Sequence, residues 1–362
     1  RQHLFKSLQL SFASVFGSTG TSFSMIGKGG VMAILASAST VGFTARGAED
    51  GVGLHWLEDR DRSPIMGTTC GVPWPMGACP RDAAFSLTAE DGARVPVQTW
   101  PLAYWPDGSL KWTALAVGPR TGAPSRFTLT QSGSDAAPDA PLTVKADGDD
   151  FVVNTGVIEC RLAQSGVALI PSIARDGRTL FTSGRRVCLN QNQPSEPSGE
   201  PTLGESFESR IESVTVEQDG PVRAVVRIEG KHVGPEGRAW LPFVVRLYFY
   251  AGSANVRMMH TFIFDGDEYQ DFIRGLGVRF DVPMQDELYD RHVRFVSADG
   301  GLWAEAVRPV TGQRRDPGEQ VRKLQVEGKA LPPTSAWDQR VATRLEPVSY
   351  THLRAHAVSY TH

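Results

Sequence analysis

The sequence predicts an all-β protein, a small barrel followed by a larger β-sandwich. Three observations carry that expectation. Apolar and polar residues alternate with a period of two over many short stretches, the signature of half-buried strands. Pro and Gly, 24 and 37 of 362 residues, interrupt almost every window of helical period. Eight Trp and seventeen Phe against seven Met suit packed sheets better than a coiled coil or a long bundle.

The first unit is read over residues 52–146. Its clearest strand is 110–117, where Leu110, Trp112, Ala114 and Ala116 share one face. Residues 127–130 form a second, short alternating strand. Trp100, Tyr104, Trp105 and Trp112 fall within thirteen residues. Exposed rings of this kind stack on sugars, whereas rings in a small barrel usually fill it. The filled core is the expectation here.

Residues 118–150 are rich in Gly, Pro, Ser and Asp and mark a boundary. The second unit is read over 149–335. Strands at 151–154 and 157–162 flank the turn Thr155-Gly156, and 214–216 and 223–229 follow. The strongest hairpin joins 243–250 to 256–264 through the turn 251–255. Phe243, Val245, Leu247 and Phe249 point one way, and Val256, Met258, His260, Phe262 and Phe264 share a face. Residues 190–201 are a long polar loop.

Lys+Arg number 37 and Asp+Glu 40, so the formal net charge is −3. That excludes a nucleic-acid binder relying on a bulk basic surface. No apolar run reaches the length of a membrane span. Residues 1–48 hold no acid and read as a leader or unstructured extension. Lys28, the small apolar run 30–43 and the small residues after it form a secretory pattern, so a secreted or periplasmic protein is expected. At the other end, Val348–His352 recurs as Val358–His362. A single direct repeat is no stacked fold unit. Residues 348–362 resemble translated adapter sequence, and 336–347 read as the start of a further domain. The four cysteines, Cys70, Cys79, Cys160 and Cys188, form no C-x-x-C pair, so no structural zinc site is expected. Cys70 and Cys79 could close a short loop, or all four could be buried free thiols.

No generic catalytic signature is present: no G-x-S-x-G, H-E-x-x-H, phosphate loop or G-x-G-x-x-G. The run Asp265–Asp271 carries four acids in seven residues but lacks the spacing of a calcium loop. It reads as a solvated hairpin loop. His260, on an apolar strand face, reads as a satisfied core histidine before a catalytic base. Arg257, Arg274 and Arg279 could pair with a carboxylated substrate, since a guanidinium meets a carboxylate bidentately. Trp105, His260 and Arg274 are the candidate substrate-binding residues, the catalytic residues are open, and no metal ligands are assigned.

One set of motifs is far more specific. Gly71-Val-Pro-Trp-Pro-Met-Gly77 is followed by Gly92-Ala-Arg-Val-Pro-Val-Gln98, then by Trp105-Pro-Asp-Gly-Ser-Leu-Lys-Trp112. This resembles the N-terminal barrel, of the RIFT type, in the exo-rhamnogalacturonan lyase and YetA-like family of polysaccharide lyases. Asn154–Cys160, Leu169–Ile173, Met259–Asp267 and Asp271–Val278 are similar to that family's central β-sandwich, so the resemblance covers roughly residues 52–335. Taken alone, Pro106-Asp-Gly-Ser109 is a turn signal, and the tryptophan-bracketed motif is mainly a hairpin corner.

The resemblance implies β-elimination of a rhamnose–galacturonate linkage in a pectin-type polysaccharide substrate. Such chemistry needs a base at C5 and a cation, calcium or an arginine, at the carboxylate. Calcium is thus a possible cofactor of the intact parent. In the family a helical toroid follows and supplies most of the cleft. It is expected to be missing here after Trp337, leaving a fragment inactive by itself. A non-catalytic carbohydrate-binding or cell-surface β module is the alternative.

Overall fold

Alternation becomes strand wherever one face of a segment meets a core, and here it does so almost throughout. The computed structural model describes residues 5–12, 41–44, 51–56, 67–119, 126–131, 136–191, 205–283, 292–296, 302–306, 318–326 and 332. The predicted cleavage region and the further-domain start and tail at 336–362 lie outside these residues, as does most of the 190–201 loop. Residues 5–12, expected within the leader or extension, form strand β1 (Phe5–Phe12). The chain divides into two compact units, 1–14 with 33–283, and 15–32 with 284–362.

The first unit opens with a small barrel. One sheet takes β2 (Val41–Thr44), β3 (Val52–Trp56), β5 (Phe85–Ala89), β6 (Arg94–Val95) and β9 (Arg126–Gln131), in the order β2-β3-β9-β5-β6. The other takes β4 (Thr68–Pro73), β7 (Val97–Tyr104) and β8 (Leu110–Val117), in the order β4-β8-β7. Val72, Trp74, Phe85, Leu87, Leu115 and Leu129 from both sheets share one core. Trp74 stacks on Phe85 at 5.1 Å, and its indole N–H donates to Thr113 Oγ1 at 3.0 Å. That bond satisfies the polar edge of a buried ring.

The expectation that the four clustered aromatics fill this core is overturned. Trp112 is 39 % and Tyr104 37 % exposed, and Trp100 and Trp105 are half-buried. Alternation does place Leu110, Trp112, Ala114 and Ala116 on one side of β8, where Leu110, Ala114 and Ala116 are buried and Trp112 is exposed. Lys111, Thr113, Leu115 and Val117 lie on the opposite side, where Leu115 and Val117 enter the core.

The sandwich is one long antiparallel sheet folded on itself. Its strands are β10 (Thr143–Asp147), β11 (Asp150–Asn154), β12 (Glu159–Ala163), β13 (Ile170–Arg175), β14 (Arg178–Gln191), β15 (Ser206–Asp219), β16 (Arg223–Val233), β17 (Ala239–Tyr250), β18 (Val256–Ile263) and β19 (Phe272–Asp281). They run β1-β18-β17-β16-β15-β14-β13-β12-β11-β10, and β19 pairs with β14. Residues 143–146, read as the end of the first unit, thus pair into this sheet.

The hairpin expected at 243–264 is present as β17 and β18, with Phe243, Val245, Leu247, Phe249, Val256 and Met258 buried. These meet Val153, Cys160, Leu162, Ile170 and Ile173 of the other layer in one core. Each fully buried side chain of this size is worth about 1.5–3 kcal/mol of transfer free energy.

The second unit contains the antiparallel pair β20 (His292–Val296) and β21 (Leu302–Ala306), and one helix, α1 (Glu319–Val326). Among the described residues no helix is long and apolar enough to cross a membrane.

Candidate functional site

The barrel motifs build a single corner. In the turn after β7, Trp105 N–H donates to the Ser109 carbonyl at 2.8 Å, and Gly108 N–H to the Trp105 carbonyl at 2.9 Å. Gly108 has φ +86°, a conformation glycine adopts freely. Asp107 accepts from Ser109 N–H and Oγ at 3.0 and 2.6 Å, and these bonds hold its carboxyl below the usual range. The 71–77 segment docks on this turn. Gly77 N–H donates to Ser109 Oγ at 2.9 Å, Trp74 N–H to the Lys111 carbonyl at 3.0 Å, and Trp105 Nε1 to the Trp74 carbonyl at 3.0 Å.

Trp105, a candidate substrate-binding residue, therefore clamps two segments together, with Lys111 Nζ 4.4 Å over its ring. Around it lies an outward apolar surface: Trp112, Tyr104, Leu102 at 58 % exposure and Met76 at 58 %. A Cβ at Gly71 would sit 3.4 Å from the Trp112 ring and 3.6 Å from Leu102, so both side chains lie close over β4. Arg81 stands 4.2 Å over Tyr104. This face offers flat apolar rings with the Arg81 cation over Tyr104, while Lys111 lies on the other side of β8 from Trp112.

His260 is fully buried inside the sandwich. Arg186 Nη2 donates to its Nδ1 at 3.1 Å, which places the imidazole proton on Nε2. Burial, then the Arg186 charge, then His232 push its pKa down to about 2. His232, also fully buried, donates from Nδ1 to the Leu241 carbonyl at 2.8 Å. Burial lowers its pKa to about 4, with the Arg186 charge adding a smaller push and the Leu241 bond opposing. Both imidazoles are neutral and sealed, so His260 is a core histidine but not the satisfied one expected: its Nε2, like that of His232, is buried with no hydrogen-bond partner among the described residues. Sequence reading missed Arg186, which is fully buried with Nε and Nη1 lacking any partner. Its strand alternation carries an inward arginine, and only the facing layer shows what it meets.

The acidic run closes the same end of the sandwich. Asp265 Oδ1 accepts from Leu241 N–H at 2.6 Å. Asp271, 5 % exposed, accepts from Asn190 at 2.9 Å, from Asp267 N–H at 2.8 Å and from Arg238 at 2.5 Å. Burial alone would raise the Asp271 carboxyl; these bonds outweigh it and hold the carboxyl low. Residues 267–270 of the run are exposed, as expected of a solvated loop, while Asp265 and Asp271 are bonded into the fold. Oxygens so engaged do not fit calcium, and no group of three metal-ligating side chains occurs among the described residues.

Arg274, the third candidate, lies half-buried on β19, away from Trp105 on the barrel. The three candidates do not form one site. Arg279 sits near Asp281 at 4.0 Å, and all four cysteines are free. Burial pushes the Cys70 and Cys188 thiols up to about 11 and 12.

Residues 50–132 match the domain described as the PcRGLX-like N-terminal RIFT barrel, and 142–352 the PcRGLX-like central beta sandwich. A Bacillus subtilis (strain 168) protein, "Uncharacterized protein YetA", is 32 % identical over 281 residues, which is 77 % of this chain and 32 % of that protein. The chain therefore spans about a third of the length of that curated relative. Barrel, sandwich and corner motifs agree with these matches, and the chain belongs to the PcRGLX-like family.

Proposed function

We propose that the chain is the β-rich front part of an exported polysaccharide lyase that cleaves rhamnogalacturonan-type pectin by β-elimination. Its own share of the work is to hold the glycan. The observation carrying this is the outward aromatic face of the barrel, Trp112 with Tyr104 and Leu102. The barrel fills its core without these residues, so packing does not account for them. Sugar C–H faces stack on such rings, and Arg81 stands over Tyr104 as a cation for a uronate carboxylate. Elimination needs a base that reaches C5. Sealed His232 and His260 suit that task poorly, which supports a base supplied elsewhere in the intact protein.

Calorimetric titration of this chain with rhamnogalacturonan oligosaccharides tests the binding share. The expected result is measurable binding, weakened at least about tenfold by Trp112→Ala with an unchanged melting temperature. No binding by the wild-type chain would remove this share. Ultraviolet detection of an unsaturated uronate product from the full-length protein tests the lyase. Binding without any such product would favour the alternative, a non-catalytic carbohydrate-binding module.

A further inference from the structure

Where the barrel meets the sandwich lies a second constellation, apart from the barrel corner. Alternation directs Arg223 of β16, Tyr248 of β17 and Arg257 of β18 to the outer face, opposite core residues Ala224, Leu247, Val256 and Met258. The Arg223 guanidinium stands 5.1 Å from the Tyr248 ring centre and 4.9 Å from that of Trp100 in the barrel. The Arg257 guanidinium stands 5.6 Å from the same Tyr248 ring.

The other arginines of this face are paired. Arg246 holds Glu217 bidentately, with bonds of 2.8 and 2.9 Å, and Arg227 pairs with Glu229. Arg223 and Arg257 differ. Neither has a carboxylate partner among the described residues, and the Nε of each is buried without a hydrogen bond. The Tyr250 hydroxyl bonds Arg223 but brings no charge. Two like charges share one tyrosine, and burial followed by the tyrosines and Arg257 sets the balance at Arg223.

A guanidinium stacked on an aromatic ring uses its flat face and keeps its N–H donors in the plane of the fork. Those donors match a carboxylate, which also cancels the mutual repulsion of the pair. We propose that Arg223 and Arg257, held by Tyr248 and Trp100, form a carboxylate-binding site for an acidic sugar at the junction of barrel and sandwich. The identity of the sugar as a uronate rests on the pectin reading above; the carboxylate chemistry rests on the pair itself.

The test titrates the full 362-residue chain with oligogalacturonides and with neutral galacto-oligosaccharides of equal length. The acidic oligomer should bind at least about tenfold more tightly, and added salt should weaken it. Arg257→Gln should weaken that preference. Arg257→Lys keeps the charge and loses the fork, and should fall between wild type and Arg257→Gln. It decides the matter if Arg257→Gln fails to fold.

Equal affinity for both oligomers, or a preference untouched by both Arg257 variants, would overturn the proposal. An Arg257-dependent preference in this chain, with no elimination product from the full-length protein, would leave the carboxylate site standing and remove only the lyase reading.

Discussion

Leu241 shows at the scale of one residue how the polar end of the sandwich is held. It is fully buried with φ +51°, a region β-sheet residues with a Cβ rarely adopt. Both its backbone groups have side-chain partners: Asp265 takes the N–H and His232 the carbonyl. His232 therefore does a structural job that requires a proton on Nδ1 and none on Nε2. His260, whose Nδ1 accepts from Arg186, does another.

Both imidazoles titrate well below the ordinary histidine value of 6.5, at about 4 and about 2. In the unfolded chain they take up protons near 6.5; in the fold they refuse them. Stability is thus full above about pH 7 and falls as the pH drops from 6.5 toward 4, by up to about 1.4 kcal/mol per unit for each histidine. Asp271 acts at lower pH, since its carboxyl is depressed and its contribution fades only below the usual carboxylate range. Urea unfolding at pH 7, 5.5 and 4.5 checks this. Wild type should show the full slope, and His260→Gln about half of it.

Among the elements, the turns that join strands carry as much specificity as the strands. Thr155, fully buried between β11 and β12, donates from Oγ1 to the Ser253 carbonyl at 2.7 Å and accepts from Ile158 N–H at 3.1 Å. Gly252 N–H donates back to the Thr155 carbonyl at 2.7 Å. This turn of one layer is thereby tied to the β17–β18 turn of the other. Thr155→Val keeps the shape but strands the Ser253 carbonyl and the Ile158 N–H. A loss of about 2 kcal/mol is expected in chemical denaturation, with the β17–β18 turn exchanging its amide protons faster.

For the first compact unit as a whole, barrel and sandwich are coupled by a few polar contacts. Gln98 Oε1 accepts from Val222 N–H at 3.2 Å and from Arg223 N–H at 2.7 Å, and Thr69 Oγ1 meets the Tyr250 hydroxyl at 3.0 Å. Gly67 leaves the space the Tyr250 ring occupies, since a Cβ there would lie 2.0 Å from it. Gln98→Leu should cost about 1–3 kcal/mol by leaving two N–H groups without an acceptor. In scanning calorimetry it should split one barrel–sandwich transition into two, and a single unshifted transition would refute the coupling.

Local chemistry made much of this legible in advance. Period-two alternation marked β8, β16, β17 and β18, and the Pro-Asp-Gly-Ser turn marked the barrel corner, because both depend on neighbours within a few residues. Alternation also separates the two faces of a strand, but it does not say what covers each face. Trp112 and Leu115 on β8 lie on opposite faces, and only the closed barrel assigns one to the solvent and one to the core. Arg186 and His260 are 74 positions apart, and Gln98 and Arg223 are 125 apart. Such meetings depend on how an eleven-stranded sheet folds over itself and where the barrel docks on it. Strands, turns and family kinship were thus set by the sequence alone, while the buried Arg–His pair, the exposed aromatic face and the junction arginines, which have no carboxylate partner among the described residues, were decided by tertiary packing.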